Sequence, residues 1–137
     1  MKKLGFAIAL FTFSCNSGDS TSLTKDEEAV NTKYAEGKEV YDRSCIACHM
    51  KDGKGLEGTF PPLAASDYLL KDPQRALKQV LYGSDEQMTV NGVEYHGIMP
   101  PQDVSEEEAV AVVNYILNAW GNDGGEITES DLEKIKE

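Results

Sequence analysis

Cys45, Cys48 and His49 stand together in the stretch SCIACHM: two thiols three positions apart, with an imidazole directly behind the second. Three chemistries use such a set. A structural zinc ion takes four ligands, commonly from two such pairs, and with Cys15 set aside the chain offers only His96 beyond the motif. A thioredoxin-like dithiol calls for Cys-x-x-Cys at the start of a helix that follows a strand, where the helix N-terminus lowers the thiol pKa; here the pair follows a helical pattern and precedes a glycine-rich loop. Covalent haem attachment is the third. The thiols add to the two vinyl groups of the macrocycle, and the adjacent imidazole is thereby placed to ligate iron. This reading also accounts for an export signal upstream and for the glycines downstream, which let backbone approach a flat ring.

With haem assumed, a second axial ligand decides between an electron carrier and a protein that binds substrate or gas at iron. Met88, His96 and Met99 are the candidates; Met50 adjoins His49 and cannot reach the other side of the ring. Pro100 and Pro101 follow Met99 and stiffen the backbone that would present its thioether. A soft methionine sulfur raises the reduction potential relative to a second histidine. His49 and Met99 are therefore the expected metal ligands, with a His49/His96 pair as the alternative.

The elements that position these groups can be read along the chain. YAEGKEVYDRSC predicts a helix with Gly37, Val40 and Tyr41 on one face, running into Cys45. Gly53, Gly55 and Gly58 with Pro61 and Pro62 make the following segment an irregular loop. Asp72 and Pro73 read as a cap and first helical residue for PQRALKQVLY, with Ala76, Leu77, Val80 and Leu81 as its apolar face and Gly83 as its stop. Asn91-Gly92 between Val90 and Val93 signals a small hairpin. Ser105 and Glu108 form a capping box before a helix carrying Ala109, Val112, Val113, Ile116 and Trp120, closed by Gly121. The charged tail 122–137 has a further box at Ser130 and Glu133 and reads as a short appended helix or a frayed end.

The N-terminus adds a compartment. Lys2 and Lys3, an apolar run of ten residues from Leu4 to Phe13, then Ser14 and Cys15 make a secretory signal, too short for a spanning helix of about 20 residues. A cysteine at the end of such a signal resembles the lipobox of bacterial lipoproteins, which implies cleavage after residue 14 and lipid attachment at Cys15. Residues 15–31 then read as a flexible tether and 32–121 as the folded domain. Loss of Lys2 and Lys3 takes the basic count from 13 to 11 against 24 acidic side chains, a formal balance of −13. That excess of acid argues against nucleic acid or an anionic lipid surface as partner.

In their order, the CIACH motif, the glycine loop, the MPP segment and the terminal aromatic helix resemble a class I c-type cytochrome over residues 32–121. The resemblance implies a mostly α cytochrome c fold, about three to five helices around one covalent haem c, with a small hairpin before the methionine loop. It implies that Gly37 and Tyr41 meet Val112 and Tyr115 where the first and last helices cross. It also implies that the carbonyl of Pro61, or of its neighbour Pro62, accepts the proton of the haem histidine, and that Leu63 packs on the haem. The stretches SDYLLKDP, VNGVEYHGIMPPQ and VVNYILNAWGN are similar to cytochrome domains beside or fused to respiratory reductases, copper nitrite reductases among them. The expected function is one-electron transfer by a non-enzymatic protein in the periplasm or at the cell surface, between redox protein partners such as a respiratory reductase or oxidase. The alternative is a haem enzyme or gas sensor with an open or labile sixth site.

Overall fold

A computed structural model describes residues 24–136, and Cys15 and the expected signal lie outside them. In chain order the elements are α1 (Lys25–Lys33), α2 (Ala35–Ser44), α3 (Ile46–His49), α4 (Asp67–Lys71), α5 (Pro73–Tyr82), β1 (Met88–Val90), β2 (Val93–Tyr95), α6 (Glu106–Asn118), a 3₁₀ turn (Ala119–Gly121) and α7 (Glu129–Lys136).

The organising contact is the crossing of α2 and α6. Gly37 permits it: a β-carbon there would lie 2.1 Å from the carbonyl oxygen of Ala111 and 2.8 Å from Cβ of Tyr115. Any larger side chain would push the helices apart. The atoms nearest Gly37 thus belong to Ala111 and Tyr115, rather than to the expected Val112 and Tyr115; Val112 is turned instead toward the interior cavity. One turn along, Tyr41 is buried, with ring centroids 5.6 Å from Tyr115 and 5.1 Å from Trp120.

The local signals place the next elements. The Asp72 side chain accepts a hydrogen bond from the N–H of Arg75, Pro73 opens α5, and Ala76, Leu77 and Val80 are buried. Both halves of the Ser105/Glu108 capping box are formed. Strands β1 and β2 pair antiparallel, with Val90 opposite Val93 and positive φ at Asn91 and Gly92, the turn chemistry of a tight hairpin. The hairpin tip is tied to α4 by reciprocal bonds: Asn91 N–H donates to the Asp67 carboxylate, and Asp67 N–H to the Asn91 side-chain oxygen.

Seven α-helices among the described residues exceed the three to five expected. Two of the additions, α3 and α4, are single turns of four and five residues. The ends of the domain supply the rest. Residues 25–31, expected in the tether, are helical because Thr24 caps α1, Asp26, Glu27 and Glu28 face its N-terminal dipole, and Val30 and Tyr34 pack on the core. Lys33 and the Tyr34 hydroxyl both donate to Glu126, joining α1 to the tail. That tail is built in as well: Ile127 and Leu132 are buried, and the Asn114 side chain accepts from Ile127 N–H and donates to its carbonyl. The cap of α7 is made by Thr128 and Asp131, two residues before the expected Ser130/Glu133 box: Asp131 accepts from the Thr128 N–H and hydroxyl.

Candidate functional site

α2 ends at Ser44, and the N–H groups of Cys48 and His49 both turn back to the Cys45 carbonyl, at 3.2 and 3.0 Å. This single turn carries both thiols and the imidazole to the wall of a cavity of about 290 Å³. Well-packed interiors leave few voids larger than one water, roughly 30 Å³ of liquid volume, so the cavity is not a packing defect. Burial pushes the Cys45 thiol up to about 11. It is therefore a neutral thiol at physiological pH, the reverse of the lowered pKa that dithiol exchange uses.

His49 Nδ1 lies 2.9 Å from the carbonyl oxygen of Pro61, not of Pro62. Burial lowers the pKa of the ring, outweighing the opposing effect of the Pro61 bond. A neutral imidazole whose Nδ1–H donates to a carbonyl keeps its Nε2 lone pair free for a metal. The loop fixes that carbonyl through Gly55, at φ +61°, where a β-carbon would sit 2.3 Å from the Phe60 oxygen and 2.7 Å from the Pro61 oxygen. Gly53 is a second close approach, with the Trp120 indole packed where its side chain would be, while the indole N–H donates to the Lys51 carbonyl.

Met99 reaches the same cavity from the segment between β2 and α6. Its backbone N–H and carbonyl both pair with Ser84, each at 2.8 Å, and Pro100 and Pro101 follow. Gln102 N–H donates to the Val80 carbonyl and closes this segment onto α5. The cavity also receives Leu63 and Met88. His96 is absent from its lining; that side chain is 63% exposed, 4.0 Å from the Glu94 carboxylate.

Several residues that shape the site escaped the sequence reading. The buried Asn122 accepts from Ala65 N–H and donates to the carbonyls of Leu63 and Ile116, stitching the proline loop to the end of α6. Tyr68, Arg75 and Gln79 are among the polar residues of the lining. The Arg75 guanidinium lies over the Tyr68 ring at 3.5 Å, donates to the Tyr68 carbonyl and approaches Asp72 at 3.8 Å. The signal for Arg75 and Gln79 was available as two polar residues beside the apolar stripe of α5.

These features fit a haem. An apolar slot suits a flat macrocycle, two thiols and a neutral imidazole share one turn on its wall, a thioether enters from another segment, and one guanidinium stands ready for carboxylates. Among the described residues, no cluster of three or more His, Cys, Asp or Glu side chains could hold a metal by itself. No helix among them is long and apolar enough to cross a membrane.

Comparison with known proteins points the same way. The family model for cytochrome c matches residues 34–120. Cytochrome c-552 of Thermus thermophilus is 38% identical over 93 residues, 64% of this chain and 70% of the relative. The cytochrome c subunit of a quinone-type alcohol dehydrogenase from Gluconobacter oxydans (strain 621H) is 31% identical over 115 residues, which is 73% of this chain but 22% of that subunit. Cytochrome c-551 of Bacillus subtilis (strain 168) is 36% identical over 56 residues, 40% of this chain and 50% of the relative.

Proposed function

The chain belongs to the cytochrome c family, with its covalently bound haem c and its role in electron transfer, and on that premise we propose that it is a single-haem carrier ligated by His49 and Met99. The observation that carries the ligand assignment is the meeting of two prepared donors in one cavity: an imidazole held neutral and oriented by Pro61, and a thioether on a backbone pinned to Ser84. When bound, haem supplies one reversible electron at iron.

The chain's own residues do the rest. Cys45 and Cys48 would hold the macrocycle through thioethers. Pro61 fixes the tautomer of His49, and Leu63 packs beside it. Arg75, with Tyr68, offers charge and hydrogen bonds to the carboxylates. His49 and Met99 would hold the iron from the chain's own side chains, which would leave haem to supply electron transfer and no site for substrate. The test is a spectroscopic redox titration of the holoprotein with carbon monoxide added to the reduced form. A reversible one-electron curve and no carbon monoxide binding are expected; ready binding would favour a haem enzyme or gas sensor with an open site.

The partners are redox proteins, of the kind that the dehydrogenase cytochrome subunits serve within their own assemblies. Residues 1–14 act as a lipoprotein signal and Cys15 as the lipid-bearing residue, which places the domain at a membrane, facing the periplasm or the cell exterior. Incorporation of labelled palmitate that disappears in Cys15→Ser is the expected result; equal labelling of both proteins would remove the anchor.

A further inference from the structure

Met50, directly after His49, has φ 62° and ψ 163°, a backbone conformation that glycine alone adopts freely. Trp120, in the 3₁₀ turn after α6, has φ 53° and ψ 28°, an outlier for so bulky a side chain. Strain of this kind persists only where the surroundings over-determine it, and it gathers at functional sites. Met50 is 36% exposed, so the packing of its own side chain does not offset the strain.

Its carbonyl does. Tyr41 donates its hydroxyl proton to that oxygen at 2.7 Å, and Gly53 N–H donates to it at 3.2 Å. The next carbonyl, of Lys51, accepts from the Trp120 indole N–H at 3.1 Å. Two consecutive carbonyls are thus taken by two aromatic donors, one from α2 and one from the turn after α6, whose rings meet edge-on at 5.1 Å. Burial raises the pKa of the Tyr41 hydroxyl, which keeps it a donor at physiological pH. The loop held in this way holds the partner of His49 in turn. Gly55 N–H donates to the His49 carbonyl at 3.0 Å, and the Gly53 carbonyl accepts from the N–H groups of Leu63 and Ala64, at 2.7 and 2.9 Å. Pro61, just upstream of Leu63, has its carbonyl oxygen 2.9 Å from His49 Nδ1.

We propose that Tyr41 and Trp120 are positioning residues for the haem histidine: their O–H and N–H pin the strained backbone at Met50 and Lys51, which keeps the Pro61 carbonyl on His49 Nδ1 and so sets the donor strength of the imidazole. The proposal rests on the reading of His49 as an iron ligand and adds the residues that tune it. A hydrogen bond from the outer ring nitrogen raises the basicity of a ligating histidine, and such bonds are one of the levers on a haem potential. Tyr115, the third ring of the cluster, makes no hydrogen bond to this loop among the described residues, so its hydroxyl has no such role.

The test uses the holoprotein and two readouts, the reduction potential and the rate at which His49 Nδ1–H exchanges with solvent, followed by NMR in the reduced form. Tyr41→Phe keeps the ring and deletes the donor. It should speed the exchange about tenfold, the factor that corresponds to one ordinary hydrogen bond, and raise the potential. Trp120→Phe should move both readouts in the same direction, while Tyr115→Phe should leave both at the parent values. Met50→Gly removes the strain, so in that background Tyr41→Phe should change the exchange rate by less than about twofold. The assignment is overturned if Tyr41→Phe or Trp120→Phe matches Tyr115→Phe in both readouts, or if Met50→Gly leaves the Tyr41→Phe effect undiminished. A parent whose reduced-state His49 ring protons lack the ring-current shift of an imidazole on haem iron would instead overturn the ligand reading, so the two failures are distinguishable.

Discussion

The two sides of the cavity are held by different means. On the His49 side, the turn bearing the thiols and imidazole is backed by the α2–α6 crossing: Tyr41 donates its hydroxyl proton to the Met50 carbonyl, Trp120 fills the space over Gly53, and Asn122 ties down the proline loop. On the Met99 side, the proposed ligand sits on irregular backbone held by two hydrogen bonds to Ser84 and one from Gln102 to Val80, with Gly97, Ile98 and Pro100 exposed. The first arrangement couples a ligand to the global fold. The second allows a ligand to be weakened while the fold persists.

The largest expected effect breaks the first side. Gly37→Val places carbon 2.1 Å from the Ala111 oxygen, and overpacking of this kind should cost about 3 kcal/mol or more. A guanidinium melt of the holoprotein should show that loss. Next is Asn122→Ala, which strips hydrogen bonds from Ala65, Leu63 and Ile116. It should lower unfolding free energy by about 3 kcal/mol and weaken the His49 side without releasing Met99.

Gly83→Ala probes the other side. Gly83 has φ +78°, and a β-carbon there would lie 2.6 Å from the Met99 carbonyl oxygen. The strain of this glycine-only backbone should cost about 1–3 kcal/mol, and the contact should displace the Met99 segment, so that the methionine–iron absorption band weakens and carbon monoxide gains access. An equal stability loss in Gly37→Val and Gly83→Ala would erase the contrast between the sides.

Alkaline pH gives the smallest effect and sharpens the comparison. Burial pushes the Tyr115 hydroxyl up from 10.0 to about 12, and raises Tyr41 further. A neutral group whose folded pKa lies above its unfolded value contributes stability that is intact below pH 10 and lost as pH rises toward 12. Helical circular dichroism should fall in that window, and Tyr115→Phe should shift the fall to higher pH.

Legibility in the sequence followed the range of the interactions. Asp72-Pro73, Asn91-Gly92 and Ser105/Glu108 act through neighbours within four residues, so their elements stood where local chemistry put them. TESDLE satisfies the capping pattern twice, at Thr128/Asp131 and Ser130/Glu133. The choice falls to the first because Ile127 and Leu132 must be buried against the rest of the chain, which no local rule reports. Asn122 was silent for the same reason: two of its partners are 57 and 59 positions away. CIACH announced the thiols and His49 from spacing alone, and the proline pair marked Met99. Arg75 and Tyr68 came together only through the packing of α4 on α5.

The measurement that bears most directly on the His49/Met99 carrier is the visible spectrum of the oxidised holoprotein, beside Met99→Ala and His96→Ala. A weak far-red band from methionine sulfur on ferric iron should be present in the parent and in His96→Ala and absent from Met99→Ala. A parent spectrum without that band, or one unchanged by Met99→Ala, would contradict the assignment.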